Sequence, residues 1–203
     1  MNDNPVIGYT LRGNRYLNVT SRCTLRCAFC PKFNGEWTVQ DYRLRLHAEQ
    51  EPDTKTLLAA AGEPGQYREV VFCGLGEPSL RLYTVLEVGT ELRRLGVRVR
   101  LNTDGLANLV HGRDVTPDLE DSIDAVSISM NAQDPETYER HCRPPQSDAY
   151  PAMLEFAERA REFVPNVTLT AIDGLPGVDI DACRAVAERL EVGFRRRELG
   201  KVG

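Results

Sequence analysis

The chain has 203 residues, of which 41% are hydrophobic and 27% are charged, and its formal net charge is −5. This composition is typical of one globular domain, here residues 1–203, and it excludes disordered, collagen-like and coiled-coil proteins. The acidic balance is spread over both halves, so no nucleic-acid surface is indicated. No stretch of about 18 apolar residues occurs, so we expect no membrane-spanning helix.

The first residues, Met1 to Pro5, lack the basic and then apolar pattern that is typical of a signal peptide. We therefore expect a cytoplasmic protein, whose six cysteines remain reduced. In that compartment, clustered cysteines indicate metal binding or catalysis more often than disulfides.

Strand-like and helix-like patterns alternate along the chain. Short apolar stretches predict strands at residues 16–20, 69–73, 97–102, 125–130, 167–172 and 193–199. Helical periodicity predicts helices at residues 53–61, 80–95, 150–163 and 179–190. This alternation predicts an α/β fold with parallel strands and right-handed crossovers. Six strands are too few for a closed eight-stranded barrel, which leaves a partial barrel or a doubly wound sheet.

Two segments interrupt the alternation. Residues 34–51, with Trp37 and Tyr42, are predicted to be an insertion that forms an extra hairpin. Residues 141–148 are predicted to be a proline-broken loop after a short helix.

Three cysteines follow the first predicted strand within eight residues: Cys23, Cys27 and Cys30. A loop at a strand end can bring three thiols together, and three thiolates suit an iron–sulfur cluster with one iron free of protein ligands. A structural zinc ion would require a fourth ligand, and the nearest histidine, His47, is remote. A zinc site completed by a distant residue and ordinary buried cysteines are the alternatives.

A glycine-rich acidic turn follows the second predicted strand. Gly74 and Gly76 would let a ligand approach the backbone, and Glu77 could meet a cationic group such as an amine. Pro78 would stiffen the entry into the next helix. The structural alternative is a tight strand-to-helix turn.

Polar side chains also end the third and fourth predicted strands. They are Asn102, Thr103 and Asp104 in one turn, and Ser127, Ser129 and Asn131 at alternating positions of the other strand. Each could instead be a buried polar group satisfied by backbone. Because the carboxyl ends of parallel strands meet at one rim, where α/β folds bind ligands, the order of these motifs predicts a single site there.

These motifs, in this order, resemble the radical SAM superfamily. The resemblance rests on the CxxxCxxC loop with Phe29 before the last cysteine and on the Gly-Gly-Glu-Pro-like turn at residues 74–78, where Leu75 is a departure. It covers residues 16 to about 132. Several phrases, such as Ser127-Ile-Ser-Met-Asn-Ala132, are similar to the small TatD-linked radical SAM proteins.

The resemblance implies a partial (β/α)6 barrel with a [4Fe–4S] cluster and S-adenosylmethionine as cofactors. Reductive cleavage of the latter would give a 5′-deoxyadenosyl radical that abstracts hydrogen from a small polar substrate. A flavodoxin or ferredoxin would donate the electron. By the same resemblance, Cys23, Cys27 and Cys30 would bind the cluster, Phe29 would lie by the adenine, and Gly74, Gly76 and Glu77 would hold the methionine amine; Asn102, Thr103 and Asp104 would contact the ribose, with Ser127, Ser129 and Asn131 near the ribose or the carboxylate.

Arg143, in the loop after the fourth strand, is the candidate substrate contact, because arginine suits bidentate capture of a carboxylate or phosphate. The alternatives are a radical SAM activase, a 7-carboxy-7-deazaguanine synthase-like enzyme, and a non-enzymatic iron–sulfur or zinc module.

Overall fold

A seven-stranded sheet organises residues 5–200, the part of the chain that the computed structural model describes. In chain order the strands are β1 (Gly8–Leu11), β2 (Asn14–Asn18), β3 (Thr38–Val39), β4 (Tyr42–Arg43), β5 (Val70–Cys73), β6 (Val99–Thr103), β7 (Ala125–Asn131), β8 (Asn166–Asp173) and β9 (Gly193–Glu198). The order in the large sheet is β1-β2-β5-β6-β7-β8-β9, and every pair is parallel except β1 with β2. All six strands predicted from the sequence are confirmed.

Helices connect the parallel strands. They are α1 (Thr54–Ala61), α2 (Leu82–Arg94), α3 (Ala107–His111), α4 (Pro135–Cys142), α5 (Ala149–Ala160) and α6 (Ile180–Arg189). Asp53 caps α1 by accepting a hydrogen bond from the Thr56 amide, and Asp134 and Asp179 cap α4 and α6 in the same way. None of the helices in residues 5–200 is long and apolar enough to span a membrane.

The sheet has one apolar face and one polar face. Alternate strand residues such as Leu17, Phe72, Leu101 and Ile128 are buried in one core cluster with apolar side chains of the helices. Because side chains alternate across a strand, the residues between them, such as Asn102, point to the opposite face. The helices therefore cover one face and leave the other to the predicted site.

The expected hairpin covers part of that second face. Strands β3 and β4 pair antiparallel, and Leu44 beyond them packs with Tyr9, Tyr16 and Val71 in a smaller core cluster. The insertion at residues 34–51 therefore covers part of this face.

One strand of the large sheet, β1, was not predicted from the sequence. Strand β1 ends in a tight turn at Arg12 and Gly13, both with positive φ, and pairs antiparallel with β2 at the edge. In the described residues the edge strands β1 and β9 do not pair with each other, so the fold is an open α/β sheet, consistent with a partial barrel.

Candidate active site

The cysteine loop, residues 23–30, leaves the carboxyl end of β2 and runs along the end of α4. The amide of Arg26 donates to the Cys142 carbonyl at 3.1 Å, and the amide of Ala28 donates to the His141 carbonyl at 2.8 Å. Within the loop, Cys23 is exposed and the other two cysteines are half-buried. The loop is therefore held by backbone bonds while its thiols stay accessible.

The surroundings of the thiols favour their neutral form. Desolvation, followed by the charges of Asp104 and Glu77, raises the pKa of Cys23 to about 12. A hydrogen bond with Cys142, followed by burial, raises the pKa of Cys27 well above its ordinary value. Since metal binding needs thiolates, a metal must displace these protons when it binds.

The glycine turn, residues 74–78, lies against the chain that leads into the cysteine loop. The Glu77 amide donates to the Arg22 carbonyl at 2.7 Å. A Cβ on Gly76 would collide with the carbonyl oxygens of Thr20 and Arg22, and one on Gly74 would lie 2.5 Å from Asn18 Oδ1. Glycine at these positions allows two strand ends to pack backbone to backbone.

Glu77 is buried between the ends of β5 and β6. Its Oε1 accepts hydrogen bonds from the Ser79 amide at 2.9 Å and from Thr103 Oγ1 at 2.8 Å, and its Oε2 accepts one from the Asp104 amide at 2.7 Å. A carboxylate has about four acceptor sites, so one remains free. Burial, together with the charge of Asp104, raises the pKa of Glu77 to about 8.

Asp104 links the β6 turn to the cysteine loop. One carboxylate oxygen accepts from the Leu106 amide at 3.0 Å, and the other accepts from the hydroxyl of Thr24, which follows Cys23. Burial raises the pKa of Asp104. Among residues 5–200, neither Asp104 nor Glu77 forms an ion pair with a cation of the protein.

Polar residues also lie on the second face of the sheet, beside this network. Asn18 of β2 is in register with Cys73 of β5, and Asn102 of β6 is in register with Ser127 of β7. Asn102 Nδ2 contacts Cys73 Sγ at 3.5 Å, and Ser127 Oγ accepts from Arg195 Nη2 at 3.4 Å. The Oδ1 atoms of Asn18 and Asn102 are buried without a hydrogen-bond partner. Buried polar atoms normally have partners, so this face fits a polar ligand.

The end of β7 departs from regular alternation. The pairing with β8 shifts register between Ser129 and Asn131, and Asn131 has φ +62°. Its Nδ2 donates to the Ser129 carbonyl at 3.1 Å and to Cys142 Sγ at 3.6 Å, whereas its Oδ1 is buried without a partner. Asn131 therefore turns toward the cysteine loop, and Ser129 is half-buried.

Phe29 and Arg143 lie in different surroundings. Phe29 packs, half-buried, against the main core cluster. Arg143 ends α4 with a left-handed backbone, φ +50°, and its exposed side chain lines a cavity of about 510 Å³ together with Cys23, Trp37 and Pro144. A cavity of about 550 Å³ between residues 161–168 and 191–193 contains none of the predicted site residues.

Two cations near the loop were not predicted from the sequence. Arg26 and Lys32 line the same cavity as Arg143, and no acidic residue lines it. Lys32 is buried, donates to the Ser21 carbonyl at 3.2 Å, and lowers the pKa values of Cys23 and Cys30 against the effect of burial. A lysine two residues after a cysteine motif could have been noticed; its burial could not.

The structure also brings Cys142 to the site, although it is 112 positions from Cys30. It is fully buried beside Cys27 and Asn131. In residues 5–200, no three side chains of His, Cys, Asp or Glu are arranged around a single metal ion. A cluster is supported instead by the three cysteines of the loop, by the buried polar atoms that have no hydrogen-bond partner, and by the family to which the chain belongs.

Residues 17–190 match the family described as the Radical SAM superfamily, and the chain belongs to it. It is thus an enzyme domain of the class whose cofactors are S-adenosylmethionine and a [4Fe–4S] cluster. The three thiols and the glycine turn with its buried carboxylates fit those cofactors.

A curated relative aligns with most of this chain. The chain is 28% identical over 198 residues to the ribosomal protein uS12 methylthiotransferase RimO of Herpetosiphon aurantiacus, with 87% of this chain aligned. It spans only 38% of the length of that protein.

Solved structures share the fold. TYW1 with a lysine–pyruvate adduct bound has a TM-score of 0.63 and 16% identity over 94% of this chain and 66% of its own. Streptococcus suis SuiB bound to S-adenosylmethionine has a TM-score of 0.62 and 14% identity over 92% of this chain and 38% of its own.

The contact of Gly76 predicts a substitution effect. Gly76→Ala places a methyl group against two fixed carbonyl oxygens, so we expect a loss of about 1–3 kcal/mol in the free energy of unfolding of the cluster-free protein. Denaturant titration followed by circular dichroism measures it. Gly76 is not among the glycines with positive φ, so its loss comes from the collision alone. Gly112→Ala, with φ +63° and no atom within 4 Å of the added Cβ, shows by comparison the cost of backbone strain without a collision, about 1 kcal/mol. A Gly76→Ala protein as stable as the wild type would contradict the tight packing.

Proposed function

We propose that this domain reductively cleaves S-adenosylmethionine at a [4Fe–4S] cluster and directs the resulting 5′-deoxyadenosyl radical to a C–H bond of a small anionic substrate. One observation carries this proposal: Asp104 bonds both to the cysteine loop through Thr24 and to Glu77 in the glycine turn. Three strand ends are thereby joined around one rim.

In this proposal Cys23, Cys27 and Cys30 hold the cluster. When bound, it supplies the electron that breaks the S–C5′ bond and yields methionine and the radical. The chain's own residues bind, orient and exclude water, which is the protein's share of cofactor chemistry. The backbone bonds of the loop to α4 support this role, since they hold the loop without using the thiols.

Two buried carboxylates support binding of the methionine ammonium group. Glu77 keeps one acceptor site free, and Asp104 lies beside it without a protein cation. Removing two carboxylates from water is costly unless a cation compensates them, and an ammonium group would do so. The partnerless Oδ1 atoms of Asn102 and Asn131 suit hydroxyl or amine donors of the same cofactor.

The proposed substrate site is the cavity between the cysteine loop, the insertion and the loop after α4. Its three cations, Arg26, Lys32 and Arg143, and its aromatic residues Phe33 and Trp37 suit an anion with an apolar or planar part. Its volume of about 510 Å³ is in the range of small-molecule sites.

The electron donor would be a flavodoxin or ferredoxin. Sequence segments such as Ser127-Ile-Ser-Met-Asn-Ala132 favour the TatD-linked group within the superfamily. The chain acts, in this proposal, as a single radical SAM domain.

The cluster can be tested by removing one thiol. We expect anaerobically reconstituted wild type to bind about four irons per chain and Cys27→Ala to lose most of them, because three thiolates hold the cluster. Metal analysis and electron paramagnetic resonance measure this. Cys183→Ala, at a buried cysteine in α6, is the matched control and should keep its iron. A full cluster in Cys27→Ala, or zinc in place of iron, would refute the proposal.

The role of Glu77 can be tested by removing its charge. Glu77→Gln should weaken S-adenosylmethionine binding to the reconstituted protein about 10- to 100-fold, since a charge-assisted hydrogen bond contributes about 1.5–3 kcal/mol. Calorimetry measures the affinity, with iron content checked in parallel. The exposed substitution Arg94→Gln is the control. Unchanged affinity with intact iron would restrict Glu77 to joining β5 with β6.

The cavity can be tested through Arg143, one of its two exposed cations. Arg143→Gln should weaken binding of inorganic pyrophosphate, used as a probe anion, about tenfold, and leave substrate-free formation of 5′-deoxyadenosine unchanged. Arg140→Gln, on the same helix but ion-paired with Glu136, is the matched control. Equal pyrophosphate affinity in wild type and Arg143→Gln would remove the anion site from the proposal.

A further inference from the structure

The hydroxyl of Tyr138 is buried and has no hydrogen-bond partner. Tyr138 is fully buried, with 0% of its surface exposed, and it is among the largest such side chains in the core. An unpaired hydroxyl in the interior destabilises the folded protein, because the group loses its hydrogen bonds to water and gains none. A group kept at this cost requires an explanation, and a cofactor that accepts its proton would be one.

The position of Tyr138 on α4 directs it to the cysteine loop. It precedes Cys142 by four residues, so the two side chains share one face of the helix. Cys142 lies beside Cys27 and contributes to the raised pKa of that thiol. The Cys142 carbonyl accepts a hydrogen bond from the Arg26 amide at 3.1 Å. The loop therefore rests on the end of α4, one turn beyond Tyr138.

Three thiols and one carboxylate lie near enough to Tyr138 to affect its pKa. Burial raises the pKa of Tyr138, and the neighbouring Cys142, Asp104, Cys27 and Cys23 raise it further. The phenol therefore stays protonated and acts as a donor. The carboxylate of Asp104 already accepts from Thr24 and from the Leu106 amide.

Packing holds the ring in place. Its centroid lies 5.4 Å from that of Tyr150 at an interplanar angle of 58°, and both rings belong to the main core cluster. Tyr150 differs in one respect, because its own hydroxyl donates to the Ala132 carbonyl at 3.5 Å.

We propose that the Tyr138 hydroxyl donates a hydrogen bond to a sulfur of the bound cluster, at Cys27, and thereby raises the reduction potential of the cluster. It is a positioning residue: it acts through the cluster and touches neither substrate nor S-adenosylmethionine. Reduction adds negative charge to the cluster, and a donor to sulfur stabilises that charge. This inference rests on the proposed function, in which the cysteine loop holds the cluster.

The test compares two phenylalanine variants. Anaerobically reconstituted wild type, Tyr138→Phe and Tyr150→Phe are titrated without S-adenosylmethionine, and the midpoint potential is followed by electron paramagnetic resonance. Tyr138→Phe should keep about four irons and become harder to reduce; a tenfold change in the reduction equilibrium corresponds to about 59 mV for one electron. Tyr150→Phe should match the wild type.

The free energy of unfolding of the cluster-free proteins gives a second readout. Tyr138→Phe should be as stable as the wild type or more stable, because it removes an unpaired buried hydroxyl. An unchanged potential in a fully loaded Tyr138→Phe protein overturns the inference, as does a shift of equal size in Tyr150→Phe. A wild type that binds no cluster overturns the proposed function instead, so the two failures are distinguishable.

Discussion

The buried carboxylate of Glu77 holds together the ends of two neighbouring parallel strands. It accepts from Ser79 at the start of the segment after β5 and from Thr103 and Asp104 at the end of β6. Asp104 then extends the connection to Thr24 in the cysteine loop. Three turns that are up to 80 residues apart in the sequence thus share one hydrogen-bond network. This network fixes the positions of the three turns relative to one another.

This network concentrates negative charge where residues 5–200 offer no compensating ion pair. Glu77 and Asp104 each raise the pKa of Cys23, and burial raises the pKa values of both carboxyl groups. Desolvation of like charges would normally be destabilising. In the proposed complex the ammonium group of S-adenosylmethionine, rather than a lysine or arginine, would neutralise this negative charge.

The sequence was sufficient for the parts that depend on local pattern. The six parallel strands follow from short apolar stretches that end in Asn, Gly or Asp, and Asp53 marks the start of α1 as a cap. The first strand, β1, was missed because four residues of edge strand carry little periodicity. The placement of Cys142 and Tyr138 depends on how α4 packs, and no spacing in the sequence encodes the contact of that helix with residues 26–28.

The glycine turn and the proposed substrate cavity differ in the same way, since the first depends on local pattern and the second on how distant segments pack. Residues of the glycine turn are recognisable because their backbone must approach another backbone, and only glycine permits that at Gly76. The proposed substrate cavity is lined by residues of three segments, and its cations come from separate positions in the chain. Loops tolerate change better than the strand ends that carry them. A family with one cofactor and many substrates would therefore keep the network around Glu77 and vary residues such as Arg26 and Arg143. For this reason the cofactor could be inferred from the motifs of the sequence, whereas Arg26 and Lys32 were recognised only as residues that line the proposed substrate cavity.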